Sequence, residues 1–131
     1  MSGKIIIVED DPFSQEFYLL LFDKRGYKSV VEEDGDKLIQ DIEENNVDLI
    51  IMDINLRNTY FKGDKIDGVK LSSIIKQNPK FSHIPILLIT AYSDSIVENK
   101  YFEESLADDY IIKPITDFNI LLNKVEGLIK R

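Results

Sequence analysis

Three continuous runs of apolar residues constrain the fold of this chain more than any other feature of the sequence. They are the centres of KIIIVED (residues 4–10), VDLIIMD (47–53) and IPILLIT (84–90), and none alternates between polar and apolar residues. Such runs are typical of strands that are covered on both faces of a parallel sheet. Two weaker runs, KSVVEE (28–33) and DYIIK (109–113), bring the number of predicted strands to five.

Helical patterns lie between these strands. After Pro12, which suits the first turn of a helix, Phe13, Phe17, Leu20 and Leu21 fall on one face, and we expect this face to be buried. Four further helices are predicted from Leu38 and Ile42, from Leu71, Ile74 and Ile75, from residues 95–104, and from Leu121, Leu122, Val125 and Leu128 behind a predicted N-cap at Thr116. This alternation of strands and helices predicts an α/β fold with right-handed βαβ units around a parallel sheet.

The length and composition favour one intracellular domain. A chain of this size can bury its own core and the five units leave nothing over, so we expect residues 1–131 to form one domain without an output domain. The net charge of −8 and the absence of a basic stripe argue against nucleic acid as a partner. No apolar run could span a bilayer and the chain has no cysteine, so we expect a cytoplasmic protein without membrane contacts, disulfides or thiolate metal sites.

Polar residues collect where the predicted strands end. Glu9 and Asp10 follow the first strand, and Asp53 ends the third. Thr90 ends the fourth strand, and Lys113 ends the fifth. Because ligands of open α/β sheets bind beyond the carboxyl ends of the strands, these side chains can share one site.

The acidic residues in this group need a counter-charge. If the first and third strands are neighbours, Asp10 and Asp53 converge, and two such charges about 4 Å apart repel by about 4 kcal/mol at an effective dielectric constant near 20. A cation or raised pKa values must relieve this repulsion. Oxygen ligands without histidine or cysteine favour Mg²⁺. With a lysine and a threonine hydroxyl to contact phosphoryl oxygens, the set predicts phosphoryl transfer to an aspartate.

Four short motifs carry a resemblance to a known family. They stand at the ends of four predicted strands, in the order VEDD, IIMDIN, ITA and YIIKPI. Together they resemble the receiver domain of bacterial two-component response regulators over essentially the whole chain. The stretches HIPILLIT and YIIKPI resemble those of single-domain, phosphorelay-type regulators and of hybrid-kinase receivers. The resemblance implies a flavodoxin-like, doubly wound sheet of five parallel strands in the order 2-1-3-4-5, with five helices.

The resemblance also implies a phosphorylation switch or a phosphorelay intermediate. Asp53 would accept a phosphoryl group from a phosphohistidine on a sensor histidine kinase or a histidine phosphotransfer protein, and the output would pass to a downstream protein target. Such a domain catalyses its own phosphorylation and dephosphorylation but is not a stand-alone enzyme. Asn55 and Tyr92 correspond to positions that influence the lifetime of the phosphorylated state in the family.

Mg²⁺ is the cofactor that the resemblance implies. Its ligands would be Glu9, Asp10, Asp53 and the backbone carbonyl of Asn55, and Asp10 would be the direct ligand of the acidic pair. The metal site and the acceptor would therefore share a carboxylate.

Three further residues have implied roles around the phosphoryl group. Thr90 and Lys113 would bind its oxygens, as catalytic partners of the acceptor. Tyr110 would be a switch residue that turns inward when Thr90 moves toward the phosphate. The bond between Lys113 and Pro114 corresponds to one that is cis in the family.

The chain departs from the family pattern beside the acceptor. Arg57 stands where a proline is usual, and Leu106 stands where a glycine is usual. The Asp67-Gly68 pair follows Asp53 by 14 positions, which is about twice the usual spacing.

The extra residues between Asn58 and Lys65 form an insertion in this loop. One interpretation is a lid that contacts the phosphate or controls access of a partner, using Tyr60, Phe61, Lys62 and Lys65. The other is a mobile surface hairpin, since lengthening a loop costs little free energy. The sequence does not decide between the two.

The motifs and their order also bear on other functions of related chemistry or fold. A haloacid-dehalogenase-type phosphatase would begin with its nucleophile in an Asp-x-Asp motif on the first strand, whereas here the acidic pair comes first. A flavodoxin-like FMN binder would need a phosphate loop where Glu9, Asp10 and Asp11 would repel the phosphate. A phosphorylation-independent protein-interaction module of the same fold remains the alternative, because Arg57 and the insertion lie beside the acceptor.

Overall fold

Five parallel strands form one sheet in the computed structural model, which describes residues 4–91 and 95–130. In chain order, the strands of the molecule are β1 (Lys4–Val8), β2 (Lys28–Val31), β3 (Leu49–Asp53), β4 (Tyr60–Phe61), β5 (Asp64–Lys65), β6 (Ile86–Thr90) and β7 (Asp109–Ile112). The order across the main sheet is β2-β1-β3-β6-β7, while β4 and β5 pair as a separate antiparallel hairpin. The predicted α/β class and the order 2-1-3-4-5 are confirmed.

In the part of the chain that the structure describes, five helices connect and cover these strands. They are α1 (Pro12–Lys24), α2 (Gly35–Glu44), α3 (Gly68–Gln77), α4 (Ser95–Ser105) and α5 (Phe118–Ile129). Side chains of α2 and α3 pack on one face of the sheet, and those of α1 and α5 pack on the other. Within the described residues, no helix is long and apolar enough to cross a membrane.

Covering both faces explains why β1, β3 and β6 carry continuous apolar runs. Ile6, Ile50 and Met52 belong to the cluster beneath α2 and α3. Their neighbours Ile7 and Ile51 belong to the cluster beneath α1 and α5. Since successive side chains of a strand point to opposite faces, a strand covered twice must be apolar throughout.

The prediction for the buried face of α1 was wrong in part, because two of its four residues are exposed. Phe13 and Leu20 are 84% and 60% exposed, and the fully buried residues of the helix are Tyr18 and Phe22. These two are four positions apart, so they lie one above the other on the side that faces the sheet. The run FYLLLF is apolar around most of the helix, and its pattern therefore does not define one face.

The predicted N-cap of α5 was also wrong by one residue. The cap is Asp117, whose side chain accepts a hydrogen bond of 3.0 Å from the backbone N–H of Asn119. Thr116 precedes the cap. Aspartate is among the best N-cap residues, and its carboxylate also favours the positive end of the helix dipole.

The insertion is a two-stranded hairpin rather than a structureless loop. In this insertion hairpin (residues 60–65), Tyr60 pairs with Lys65 and Phe61 pairs with Asp64. Its turn consists of Lys62 and Gly63, with φ values of 52° and 85°. Two consecutive residues with positive φ are typical of the tight turns whose twist matches an antiparallel hairpin.

Leu106 holds a left-handed backbone conformation at the end of α4, with φ of 59°. This is where the family pattern has glycine, which reaches positive φ without a clash of its side chain. Because leucine has a β-carbon that meets the following carbonyl oxygen, the conformation costs about 1 kcal/mol. The side chain is 46% exposed, so burial offsets little of this cost.

We expect Leu106→Gly to raise the free energy of unfolding by about 1 kcal/mol, because glycine removes the strain at this position. Urea denaturation followed by circular dichroism would measure the change. Leu106→Ala is the matched control, since it shortens the side chain but keeps the β-carbon. Equal stability of the glycine and alanine variants would contradict the assignment of strain.

Candidate functional site

Asp53 lies at the centre of the carboxyl edge of the sheet. It is the last residue of β3, the middle strand, and its side chain is almost fully buried. One oxygen, Oδ1, accepts a hydrogen bond of 2.8 Å from the backbone N–H of Asn55. The other, Oδ2, lies 2.5 Å from Nζ of Lys113. The carboxylate is therefore held at a defined orientation by one backbone donor and one charged side chain.

Lys113 reaches this position from the end of β7, the edge strand. Its backbone N–H donates to the carbonyl oxygen of Thr90 at 2.7 Å, and the bond to Pro114 is cis, as the resemblance implies. The ammonium group also lies 3.7 Å from Oε1 of Glu9, so one positive charge serves two carboxylates. The structure therefore brings the side chains of Glu9, Asp53 and Lys113 together at one edge of the sheet.

Glu9 is a buried acid with an incomplete set of partners. Oε2 accepts backbone N–H groups of Asp10 and Asp11 at 3.0 and 3.4 Å. Oε1 is buried, and no described residue gives it a hydrogen bond. Burial and the neighbouring Asp53 carboxylate raise the pKa of Glu9 to about 7, although Lys113 acts in the opposite direction. Burial is the largest cause of the raised pKa, and the neighbouring Asp53 carboxylate adds to it.

Asp10 faces the loop that follows β3. Its Oδ2 accepts two backbone hydrogen bonds, from Arg57 at 2.6 Å and from Asn58 at 3.1 Å. Both donors belong to the first part of the lengthened loop. The loop thereby fixes one oxygen of Asp10 and leaves the second oxygen for another partner.

These side chains line an open cleft of about 340 Å³. The residues that line it are Glu9, Asp10, Asp11, Pro12, Ser14, Asp53, Asn55, Arg57, Asn58 and Lys113. A larger cavity of about 870 Å³ lies at the opposite edge of the sheet, next to Lys4, Asp48 and His83. None of the predicted site residues lines that cavity. The candidate functional site is therefore the smaller cleft.

The donors in the cleft suit a hard divalent cation. Oε1 of Glu9 is a buried oxygen without a hydrogen bond from the described residues, and Asp10 offers an oxygen that the loop does not use. Within those residues, no three acidic, histidine or cysteine side chains come together as a complete cage. A cation here would need backbone carbonyl and water ligands as well, which is the usual way in which proteins bind Mg²⁺.

The predicted switch residues do not line the cleft. Thr90 is 2% exposed at the end of β6. Tyr110 is half-buried on β7, and its ring packs against Phe102 of α4, with 5.1 Å between the ring centroids. Tyr92, which the resemblance connects with signal lifetime, lies outside the described residues.

The insertion hairpin does not cover the acceptor. Arg57 and Asn58, which precede it, line the cleft, whereas Tyr60, Phe61 and Lys62 do not. Phe61 packs against the core instead, and the backbone N–H of Lys62 donates to the carboxylate of Asp36 on α2 at 3.1 and 3.2 Å. The structure therefore supports neither a lid over Asp53 nor an unattached surface hairpin.

Sequence reasoning missed the groups that hold the acidic pair. The side chain of Gln15 donates to the carbonyl oxygen of Glu9 at 2.7 Å, and the backbone of Arg57 donates to Asp10. Backbone donors leave no trace in residue identities. The one available signal was the absence of proline at position 57, since proline has no N–H to donate.

Gly68 ties the end of the lengthened loop to the acceptor. Its N–H donates to the carbonyl oxygen of Ile54 at 3.3 Å, and a β-carbon at this position would lie 2.0 Å from the carbonyl oxygen of Asp53. The preceding Asp67 caps α3 through the N–H of Lys70. The Asp67-Gly68 pair therefore lies against the end of the acceptor strand, although a long loop separates this pair from Asp53 in the sequence.

Comparison with known proteins identifies the family. Residues 5–126 match the family model described as the response regulator receiver domain. The chain belongs to this family. The match covers the five strands of the main sheet except Lys4, and it reaches into the last helix as far as residue 126.

Similar proteins include regulators and sensor kinases. The receiver is 33% identical to the response regulator ArlR of Staphylococcus saprophyticus over 98% of this chain and 53% of ArlR. It is 29% identical to the CAI-1 autoinducer sensor kinase/phosphatase CqsS of Vibrio cholerae over 93% of this chain and 17% of that protein. The receiver thus spans about half of the length of ArlR and 17% of the length of CqsS.

Solved structures agree on the fold. The crystal structure of a putative response regulator from Chloroflexus aurantiacus superposes with a TM-score of 0.85 at 29% identity, over 100% of both chains. The receiver domain of a Pseudomonas aeruginosa sensor histidine kinase superposes with a TM-score of 0.82 at 22% identity, also over 100% of both chains. That structure is described with a magnesium ion coordinated in its active-site cleft.

Gly68→Ala is expected to lower the free energy of unfolding by about 3 kcal/mol, because the added methyl group meets rigid backbone at Asp53. Gly127→Ala is the matched control. That position lies inside α5 with open space around it, so alanine should stabilise the helix by up to about 1 kcal/mol. Chemical denaturation of both variants measures the two changes. A small effect of Gly68→Ala would contradict the close approach.

Glu9→Gln is expected to remove a pH-dependent loss of stability in chelator-treated protein. The folded state holds the Glu9 proton with a pKa of about 7, against about 4.5 for the same side chain in the unfolded protein, so the folded state binds more protons between these pH values. The contribution of Glu9 to stability is therefore full below pH 4.5 and is lost as the pH rises through 7.

Urea denaturation at pH 5 and pH 8 would measure this effect. The wild type should lose more stability between the two values than Glu9→Gln does. Glu16→Gln, which changes an exposed residue of α1, serves as control and should follow the wild type. Identical pH dependence in the wild type and Glu9→Gln would show that Glu9 titrates normally.

Proposed function

We propose that this receiver accepts a phosphoryl group on Asp53 from a phosphohistidine of a sensor histidine kinase or a histidine phosphotransfer protein. The observation that carries the proposal is the buried Asp53 carboxylate, 2.5 Å from Lys113, at the floor of an acidic cleft. Receiver relatives that occur within sensor kinases support a kinase as the partner.

The chemistry proposed for Asp53 is a direct transfer. A carboxylate oxygen attacks the phosphorus atom, the P–N bond to the imidazole breaks, and its electron pair leaves with the histidine nitrogen. Lys113 now neutralises the carboxylate and would then contact an oxygen of the phosphoryl group, with the Thr90 hydroxyl as a second donor. The protein uses its own side chain as acceptor, so we propose a switch or relay component rather than a stand-alone enzyme.

Mg²⁺ is the proposed cofactor of this transfer. Glu9, Asp10, Asp53 and the backbone carbonyl of Asn55 would hold it, and all four line the cleft. When bound, the ion neutralises negative charge on the acceptor and on the phosphoryl oxygens. The magnesium ion in the active-site cleft of the Pseudomonas receiver supports this assignment.

The proposed output is a change of surface around Tyr110. Phosphorylation adds a charge and three acceptor oxygens beside Thr90 and Lys113. We propose that Thr90 then moves toward the phosphate and that Tyr110 leaves its contact with Phe102 and turns inward. A downstream protein target in the cytoplasm would read this change, and we propose no contact with nucleic acid or membrane.

Asp53→Asn is expected to abolish the gain of one phosphoryl group when the protein is incubated with a small-molecule acyl phosphate and Mg²⁺. Asparagine keeps the shape of the side chain but lacks the nucleophilic carboxylate. Intact-mass spectrometry of the wild type, Asp53→Asn and a chelator-treated sample measures the adduct. Asp64→Asn, on the exposed β5 strand, is the control that should still be phosphorylated.

The same samples distinguish the proposed function from its alternative. A wild-type adduct that needs metal supports the aspartyl-phosphate switch, and a phosphorylated histidine phosphotransfer protein would then test the donor. Absence of an adduct in wild type would contradict the proposal and favour a phosphorylation-independent interaction module. An adduct on Asp53→Asn would place the acceptor elsewhere.

A further inference from the structure

The insertion hairpin follows closely after the part of the loop that donates hydrogen bonds to Asp10. The backbone N–H groups of Arg57 and Asn58 both point at Oδ2 of Asp10, at 2.6 and 3.1 Å. The strand β4 starts two residues later, at Tyr60. Any movement of the insertion hairpin relative to the sheet would therefore be transmitted within two residues to the donors on Asp10.

The insertion hairpin is attached to α2 at its turn and along β4. The backbone N–H of Lys62 donates to both oxygens of Asp36, in the first turn of α2. The carbonyl oxygen of Tyr60 lies so close to Gly35 that a β-carbon there would approach it to 2.7 Å. Phe61 packs on the apolar core beside the same helix. Three separate contacts thus fix the hairpin on α2.

The base of the insertion hairpin is also closed. The N–H of Ile66 donates to the carbonyl oxygen of Thr59 at 2.9 Å, and both side chains are buried. Asn58 therefore precedes a closed and anchored unit. The position of its N–H group depends on where that unit is docked.

We infer that the insertion hairpin is a positioning element for Asp10, and that its docking on Asp36 and Gly35 sets the affinity of the cleft for Mg²⁺. This inference rests on the proposed function, in which Asp10 is a metal ligand. Hydrogen bonds that orient a ligating carboxylate contribute to metal affinity, because the ligand then loses less freedom when the ion binds. Two donors on one oxygen of Asp10 leave the other oxygen for the cation.

The departures of this chain from the family pattern fit this role. A proline at position 57 could not donate the shorter of the two hydrogen bonds to Asp10. Arg57 restores a donor there, and the insertion supplies the docked unit that holds the following residue. The absence of proline and the extra residues then have one common explanation.

Asp36→Ala is expected to raise the dissociation constant for Mg²⁺ by about three- to tenfold, which is less than the loss on removing a direct outer-shell partner. Asp36→Asn should stay near the wild-type value, because its amide oxygen still accepts from Lys62. Isothermal titration with MgCl₂ measures the constants. Asp64→Ala is the matched control, since it removes a carboxylate of the same hairpin that is exposed at β5.

A second variant and a metal-free measurement support the test. Gly35→Ala keeps every charge but pushes the hairpin away from α2, and it should weaken Mg²⁺ in the same direction. Without metal, amide hydrogen exchange at Arg57 and Asn58 should be faster in both docking variants than in the wild type.

The outcomes separate the inference from the proposed function. Wild-type Mg²⁺ affinity in Asp36→Ala and Gly35→Ala would overturn the inference. Unchanged amide exchange at Arg57 and Asn58 would overturn it as well, whether or not metal binds. A wild-type protein that binds no Mg²⁺ would instead contradict the proposed function, while faster exchange in the variants would still support the positioning of the loop.

Discussion

The parallel pairing of β3 between β1 and β6 is the constraint on which the rest of the site depends. In this register Met52 lies beside Val8, and Asp53 lies beside Ile89, so the three strands end at the same level. Glu9, Asp53 and Thr90 are brought to one edge by main-chain hydrogen bonds alone. The burial of both faces then lowers the local polarity around the carboxylates. The fold therefore places carboxylates close together in a poorly solvated environment, and their negative charge has to be neutralised.

A single lysine neutralises this negative charge only in part. Lys113 contacts Asp53 closely and Glu9 at 3.7 Å, while Oε1 of Glu9 has no hydrogen bond from the described residues. Burial and the nearby Asp53 carboxylate raise the pKa of Glu9 in spite of the lysine. The cluster therefore carries more negative than positive charge, and a bound divalent cation or a proton would neutralise the excess. This is the physical reason for proposing a metal here, and it is independent of resemblance to other receivers.

The sequence predicted the fold and the clustering of the site, but not its fine packing. Continuous apolar runs are enough to define strands covered on both faces, and strand ends are enough to bring Glu9, Asp53 and Lys113 together. The buried face of α1 was mispredicted because FYLLLF offers several apolar faces and tertiary packing selects Tyr18 and Phe22. The hydrogen bonds from the loop to Asp10 were not predicted, because their donors are main-chain N–H groups, which do not depend on residue type.

The lengthened loop shows how a receiver can accept extra residues without losing its site. Both ends of the loop are fixed to the same strand end: Asn55 donates to the Asp53 carboxylate, and Gly68 packs on the Asp53 carbonyl. Between these points the added chain pairs with itself and docks on α2 through Asp36. The additional length therefore leaves the acceptor geometry intact. Because the same chain holds Asp10, the insertion adds a connection between α2 and the acidic pair.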